Sequence, residues 1–312
     1  MRHFLVTGGA GFIGSHLVHA LAARGERVRV LDNFSTGKRE NLADVADAVD
    51  LIEGDLRNPD DCRRACEGID VILHEGALPS VPKSVEDPLA SHQCNIDGTF
   101  NILLAARDAG VQRVVYAASS SAYGDTPTLP KIEDMAPSPL SPYAVNKLVG
   151  EYYCKTFYDC FGLQTLSLRY FNVFGPRQDP TSQYAAAIPA FVTAILRDEP
   201  PTIYGDGEQT RDFCHVDNVV HANLLAADAA ETHGEVLNLA CGERVTVNQI
   251  IAAINKILGK SVEPNHVEPR AGDVKHSLAD ITLAKNVIGY EPKVMFEQGL
   301  ELAIDWYKRN LA

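Results

Sequence analysis

Eight residues near the N-terminus, TGGAGFIG at 7–14, restrict what the chain can fold into more than any others. They follow a short apolar run, HFLVT at 3–7, and precede SHLVHALAARG, whose apolar residues recur at helical spacing. A strand that turns through glycines directly into a helix opens a βαβ unit. Gly8, Gly11 and Gly14 form GxxGxxG, and Gly9, Gly11 and Gly14 satisfy the looser GxGxxG. Glycine lets backbone amides approach a pyrophosphate at the turn and lets the helix pack closely on the strand behind it. Alone, such glycines fit an ordinary turn; between a strand and a helix they point to a dinucleotide.

The chain beyond keeps the same rhythm. Strands are expected in RVRVLD at 27–32, VDLIEGDL at 49–56, DVILHEGA at 70–77, RVVYAASS at 113–120 and LQTLSLRYFN at 163–172. Helices are expected at about 13–24, 59–66, 86–109 and 143–161. The fold class is therefore α/β, a Rossmann-type parallel sheet covered on both faces. Near Gly175-Pro176 the rhythm changes. Residues 185–197 read as a helix, 202–205 as a short strand and 215–230 as another helix. EVLNLA at 235–240 reads as a strand returning to the sheet. Thr246 is placed to cap the helix VNQIIAAINKIL, and shorter helices follow at 280–288 and 296–309. The expected division is a cofactor domain over 1–175, rejoined by 235–240, and a smaller interleaved substrate domain over 176–312.

Of the 312 residues, 41 are acidic and 28 basic, a net charge of -13 that disfavours a broad nucleic-acid footprint. The seven cysteines form no CxxC or zinc-like spacing, and Cys62 and Cys66 read as two buried thiols on one helical face. No metal site is expected. No apolar run is long enough to span a bilayer, and the N-terminus enters the glycine turn without a secretory pattern. The expectation is a soluble protein of the reducing cytoplasm.

Asp32 ends the second strand, about 20 residues past the turn, where a carboxylate can accept both hydroxyls of an adenosine ribose. It repels a 2'-phosphate, so NAD is favoured over NADP, although Lys38 and Arg39 stand close in sequence. Asp55, after the next strand, can contact the adenine edge or simply structure its loop.

Tyr143 and Lys147 form YxxxK in SPYAVNKLVGE. On a helix this spacing sets both side chains on one face. A tyrosine so placed can exchange a proton with a substrate hydroxyl, and the lysine can lower its pKa and bind a ribose. Ser119 ends a strand 24 residues earlier and can orient the reacting oxygen. Ser120 and Ser121 leave that register open.

TGGAGFIG, the Ser119 strand, YAVNK and RYFNVFGPRQ together resemble the extended short-chain dehydrogenase/reductase family over nearly the whole chain, and within it the bacterial UDP-sugar 4-epimerases. The resemblance implies a catalytic triad of Ser119, Tyr143 and Lys147. Around NAD it implies Gly8, Gly11, Phe12, Ile13, Gly14, Asp32, Asn33, Ser35, Gly37, Asp55 and Leu56, completed by Leu78, Asn95, Tyr170 and Val173. It places Asn172, Arg211 and Arg270 at a substrate diphosphate, Asp273 at the uridine ribose, Tyr204 at the uracil, and Ser120 and Ser121 near the sugar. Arginine suits the diphosphate because guanidinium grips two oxygens; an interdomain salt bridge is the plainer reading of each. His215 reads as structural.

The implied reaction is epimerisation of a UDP-hexose at C4 through a 4-keto sugar. The implied assembly is a homodimer joined by helices near 86–109 and 143–161. Similar dehydratases carry an Asp-Glu pair where this chain has Ser120 and Ser121, which disfavours dehydration. A uronate epimerase or decarboxylase, a plain reductase and a nonenzymatic NAD sensor remain as other readings. Two departures matter. HEGAL has Glu75 and Gly76 where the family often has an alanine pair. Ser277, seven residues after Arg270, corresponds to a position that borders the sugar's C2 substituent in similar enzymes; a small residue there leaves room for an acetamido group, and a cap for the next helix is the plainer alternative that the register from Arg270 disfavours.

Overall fold

A computed structural model describes residues 1–179, 187–268 and 275–311. Its centre is a seven-stranded sheet in which every pairing is parallel. Across the sheet the strands run Glu235–Leu239, Gln164–Tyr170, Arg113–Ser119, Val71–His74, His3–Thr7, Arg27–Asp32 and Val49–Glu53. The chain builds outward from His3–Thr7 through two strands, then crosses back to place Val71–His74 on the other side. The carboxyl ends at that reversal of direction are where open α/β sheets bind ligands.

Parallel strands covered on both faces read as continuous apolar runs, and all five residues of His3–Thr7 are buried. One face packs on helices Phe12–Ala23 and Val216–Asp228, with Leu17, Leu21, Val219 and Ala222 fully buried. The other packs on Pro59–Cys66, Gly98–Asp108 and Pro142–Phe161 through Cys62, Ile102, Leu103 and Phe157. A separate core beyond the sheet gathers Phe174, Val192, Ile203, Ile250, Leu300 and Tyr307, giving the smaller C-terminal unit its own interior. The strand Glu235–Leu239 does return to the sheet, in register with Leu166–Tyr170. Thr246 caps Val247–Leu258 in a reciprocal capping box with Gln249.

The helix expected over 86–109 is in fact several pieces. Val81–Glu86 is a separate short helix, Asp87 caps Pro88–His92, and a π-turn over Gln93–Asp97 leads into Gly98–Asp108. Apolar periodicity runs through all of it and hides both the Asp-Pro break and the π-turn. Residues Arg39–Ala48, left without an element by periodicity, wind as 3-10 turns. Among the described residues no helix is long and apolar enough to cross a membrane.

Candidate active site

The glycine turn is shaped by close approach. Gly8 has φ +65°, and a Cβ there would stand 2.7 Å from Cα of Gly76 on the neighbouring strand's loop. A Cβ on Gly14 would run into the carbonyl oxygen of Gly8. Gly11 precedes Phe12–Ala23 and offers no side-chain cap, so the first-turn amides at Phe12 and Ile13 remain available to an anion. Asp32 is buried, accepting from the amides of Ala10 at 2.9 Å and Phe34 at 2.8 Å, while Gly37 packs against Ala10 and Asp32. Asn33 donates to Asp55 and accepts from the Ser35 amide. Asp55 also accepts from the amide and guanidinium of Arg57, which holds its carboxyl well below the usual range. Loop structuring is therefore what Asp55 visibly does. Leu56 is buried against Gly76 and Gly98.

The loop after Val71–His74 is braced from two sides. The Gly76 amide donates to Oγ1 of Thr7 at 3.0 Å. Thr7 also meets Nδ1 of His74 at 2.7 Å, and Nε2 of His74 meets Thr99, whose hydroxyl donates to the Asn95 carbonyl. Thr99 therefore accepts from Nε2–H, and Nδ1 accepts from Thr7, so His74 is neutral with one defined tautomer. Burial pushes its pKa down to about 3, and the Lys147 cation adds to that. Asn95 sits in the π-turn and exchanges two hydrogen bonds with the backbone of Leu78, at 2.8 and 3.2 Å.

Ser119 ends its strand beside Tyr170 on the next one. Ser120–Tyr123 turns back as a 3-10 element, so the hydroxyl of Ser121 donates to Oγ of Ser119 at 2.8 Å and the Ser121 amide donates to the same oxygen. Ser119 in turn lies near enough to the phenol of Tyr143 to lower its pKa. Of the three serines, Ser119 is the one that influences the Tyr143 phenol, and Ser121 hydrogen-bonds Ser119. The helix carrying Tyr143 starts at Pro142, with Ser141 as its cap, and the Tyr143 amide donates to Ser84. Burial pushes the Tyr143 phenol up to about 12; Ser119 pulls it down, and the charge of Glu75 raises it further. One turn on, Nζ of buried Lys147 donates to the carbonyl of Ala117 at 2.7 Å and lies 5.0 Å from the centre of the Tyr116 ring. Desolvation lowers the lysine pKa, and Glu75 counters it. Among the described residues no group of three or more metal-ligating side chains assembles.

On the C-terminal side, Nδ2 of Asn172 donates to the carbonyl of Asp212 at 3.0 Å and reaches Oγ of Ser277 at 3.4 Å. The Asp212 amide reaches the same serine oxygen. Ser277 does not cap the next helix: Thr282–Ile288 begins after Ile281 with no side-chain cap. Arg211 donates to its own strand's Thr210 carbonyl and to that of Lys275, beside Ser277. Tyr204 ends a strand paired with Asn265–Val267, and Val173 pairs with Cys214. Arg270 and Asp273 lie outside the described residues.

These features meet in known proteins. The model of the family described as "NAD dependent epimerase/dehydratase family" matches residues 4–240. The chain belongs to that family. A protein of Methanocaldococcus jannaschii described as a putative UDP-glucose 4-epimerase is 37% identical over 308 residues, covering 98% of each chain. The UDP-N-acetylglucosamine 4-epimerase of Methanobrevibacter ruminantium M1, solved with UDP-N-acetylmuramic acid, superposes with TM-score 0.95 at 40% identity and 99% coverage of both chains. The UDP-glucuronic acid 4-epimerase of Bacillus cereus, solved with UDP-glucuronic acid and NAD, gives TM-score 0.91 at 34% identity and 99% coverage of both.

NAD is the cofactor of this epimerase/dehydratase chain. The residues present fit it: a glycine cradle that side chains would fill, an uncapped helix start for a pyrophosphate and a buried carboxylate at the second strand's end. Three contributors escaped the sequence reading. Asp212 accepts from the amides of Cys241, Gly242 and Ala279, tying together the segments that carry Asn172, Arg211 and Ser277. Its only sequence signal is a lone carboxylate beside Arg211. Ser84 supports the start of the Tyr143 helix from the separate short helix Val81–Glu86 and gave no signal. Asn223 donates to the hydroxyl of Tyr170 at 2.8 Å, on a helix face that periodicity assigns to core. His215 is structural as expected: it caps Val216–Asp228 and packs on Phe174.

Proposed function

We propose that the chain epimerises C4 of a UDP-hexose, with Tyr143 as the proton-transfer group. The observation that carries this is the placement of Ser119, supported by a hydrogen bond from Ser121, near the Tyr143 phenol, with Lys147 one helical turn away and held on the sheet by the Ala117 carbonyl. Tyr143, as phenolate, takes the proton of the C4 hydroxyl. Ser119 donates into that phenolate and so lowers the cost of forming it. When bound, NAD supplies the two-electron site that takes a hydride from C4 and later returns it. The 4-keto sugar turns over on its diphosphate, and Tyr143 gives the proton back to O4. One C–H and one O–H bond break and re-form, so the net redox change is zero.

Residues 1–175, with the returning strand, are assigned to NAD; residues 176–312 are assigned mainly to the UDP-sugar, through Asn172 at their border and Tyr204, Arg211, Arg270, Asp273 and Ser277. Small Ser277 favours a sugar bearing an N-acetyl group at C2, alongside the unsubstituted hexose. A homodimer is supported by exposed apolar side chains on Pro88–His92, Gly98–Asp108 and Pro142–Phe161, among them Leu89, Phe100, Tyr152 and Phe161. A single mass of one protomer over a wide concentration range contradicts it.

The test is to incubate the purified protein in parallel with UDP-glucose, UDP-N-acetylglucosamine and UDP-glucuronate and resolve the C4 epimers. Epimerisation without stoichiometric NADH consumption supports the proposal. Net NADH consumption indicates a reductase, loss of carbon dioxide from the glucuronate a decarboxylase, and NAD binding without turnover a sensor.

A further inference from the structure

We infer that Glu75 is a positioning residue for this reaction: a carboxylate fixed beside the Tyr143–Lys147 pair that sets the charge against which the phenol ionises. The inference rests on the reading of Tyr143 as the proton-transfer group. Glu75 immediately follows the strand Val71–His74, at the carboxyl edge where the sheet changes direction. Its carboxylate is held directly. The hydroxyl of Tyr170 donates to Oε1 at 2.6 Å, and Nδ2 of Asn223 donates to that hydroxyl at 2.8 Å. Asn223 is itself tied to the Val219 carbonyl of its own helix. The backbone on the carboxyl side is held too, by Thr7 at Gly76 and by Asn95 at Leu78. Tyr170 is the register partner of Ser119, so the group that fixes Glu75 and the group that fixes Tyr143 are neighbours across two strands. A side chain anchored at both its tip and its loop cannot swing away from the site.

The titratable groups that face this carboxylate are Tyr170 from its strand and Tyr143 and Lys147 from the helix. His74, next to it in sequence, is neutral and turned to Thr7 and Thr99. Cys94, in the π-turn near Lys147, is kept as a thiol by burial. Burial pushes the Glu75 carboxyl up to about 7, against the pull of the Tyr170 hydrogen bond and the Lys147 cation, so above that pH it is a negative charge with two effects. It favours the cationic form of a lysine that burial would otherwise discharge, and it opposes formation of the Tyr143 phenolate. Ionised Glu75 thus favours the charged form of Lys147 and places the ionisation of Tyr143 at a higher pH than burial and Ser119 alone would give. An alanine at this position would supply neither effect.

The experiment uses the full chain with bound NAD and the variants Glu75→Gln, Glu75→Asp and Tyr170→Phe. The first readout is the pH profile of kcat/KM for the UDP-sugar that wild type epimerises. The second is the near-ultraviolet titration of the phenolate that disappears in Tyr143→Phe, which requires no turnover. Glu75→Gln removes the charge at constant size, so both limbs of the profile and the phenolate titration move to lower pH by about one unit. Glu75→Asp keeps the charge and stays close to wild type. Tyr170→Phe withdraws the donor, makes Glu75 easier to protonate, and moves the titration in the same direction by less. Unchanged profile and titration in Glu75→Gln, whatever its rate, overturn the inference. Normal turnover by Tyr143→Phe instead overturns the reading of Tyr143 itself, a separate outcome.

Discussion

Nζ of Lys147 lies 2.7 Å from the carbonyl oxygen of Ala117 and donates to it, two residues before Ser119 on the same strand. The sheet backbone, not Tyr143, fixes the lysine. Lys147 is proposed to act on the phenol through its field rather than by direct contact. Tyr143→Phe is expected to lower turnover at least ~10²-fold, the usual scale for a positioned proton-transfer group, while NAD binding and far-ultraviolet circular dichroism stay near wild type. Lys147→Met should lose both rate and NAD affinity. A Lys147→Met protein with normal affinity and normal rate contradicts both roles given to the lysine.

The helix carrying the pair is pinned to the sheet by a buried ion pair. Arg169 grips Glu151 with two hydrogen bonds, at 2.9 and 2.7 Å, and its guanidinium lies 4.6 Å from the centre of the Tyr123 ring. Both partners are almost wholly buried. Removing one leaves an uncompensated charge in the interior, which typically costs about 3–5 kcal/mol. Glu151→Ala should lower the urea midpoint accordingly; a change below about 1 kcal/mol would mean that water reaches the site and solvates the arginine.

Acid should weaken the fold through His74. Its folded pKa of about 3 lies below the ordinary histidine value of 6.5, so at intermediate pH the unfolded chain binds the extra proton. The stability it contributes is complete above pH 6.5 and is lost as pH falls towards 3. Between pH 6.5 and pH 5 the loss is about 2 kcal/mol, at 1.36 kcal/mol per unit. Urea unfolding at pH 7 and pH 5 measures it. His74→Gln, which can still donate to Thr99 and accept from Thr7, should show a smaller difference between the two pH values. An equal difference assigns the acid sensitivity elsewhere, with His16, whose pKa burial lowers to about 4, the next group to test.

The oxygen of Ser277 accepts from Asn172 and from the Asp212 amide, at 3.4 Å each. Ser277→Tyr is expected to fill the space beside the sugar, suppressing turnover of UDP-N-acetylglucosamine and sparing UDP-glucose. The measurement is the ratio of the two rates in the variant over that in wild type, and a ratio of one removes Ser277 as the determinant of size.

How far these relations could be read from the residues depended on whether the signal was local. Gly8, Gly11 and Gly14 announce a strand-turn-helix because backbone approach leaves no choice of residue, and Thr246 with Gln249 announces a helix start by its spacing. The pair Tyr143 and Lys147 is legible for the same reason, four residues on one helix. Periodicity failed at 86–109 because a π-turn adds a residue without removing the apolar face. Nonlocal partners left no trace. Nothing near Glu75 in sequence indicates Tyr170, and nothing near Tyr170 indicates Asn223, because their meeting depends on three strands and a helix coming together. The departure from an alanine pair marked Glu75 as unusual; only the fold says which way it faces.

The central claim, that the sugar is oxidised and reduced at the same carbon, is tested most directly with a UDP-hexose carrying deuterium at C4. The protein, with bound NAD and no added cofactor, should give the C4 epimer with the deuterium still on C4, read by mass spectrometry and proton resonance in ordinary water. An epimer that has exchanged its deuterium for solvent hydrogen, or no epimer from any of the three UDP-sugars, would contradict the account.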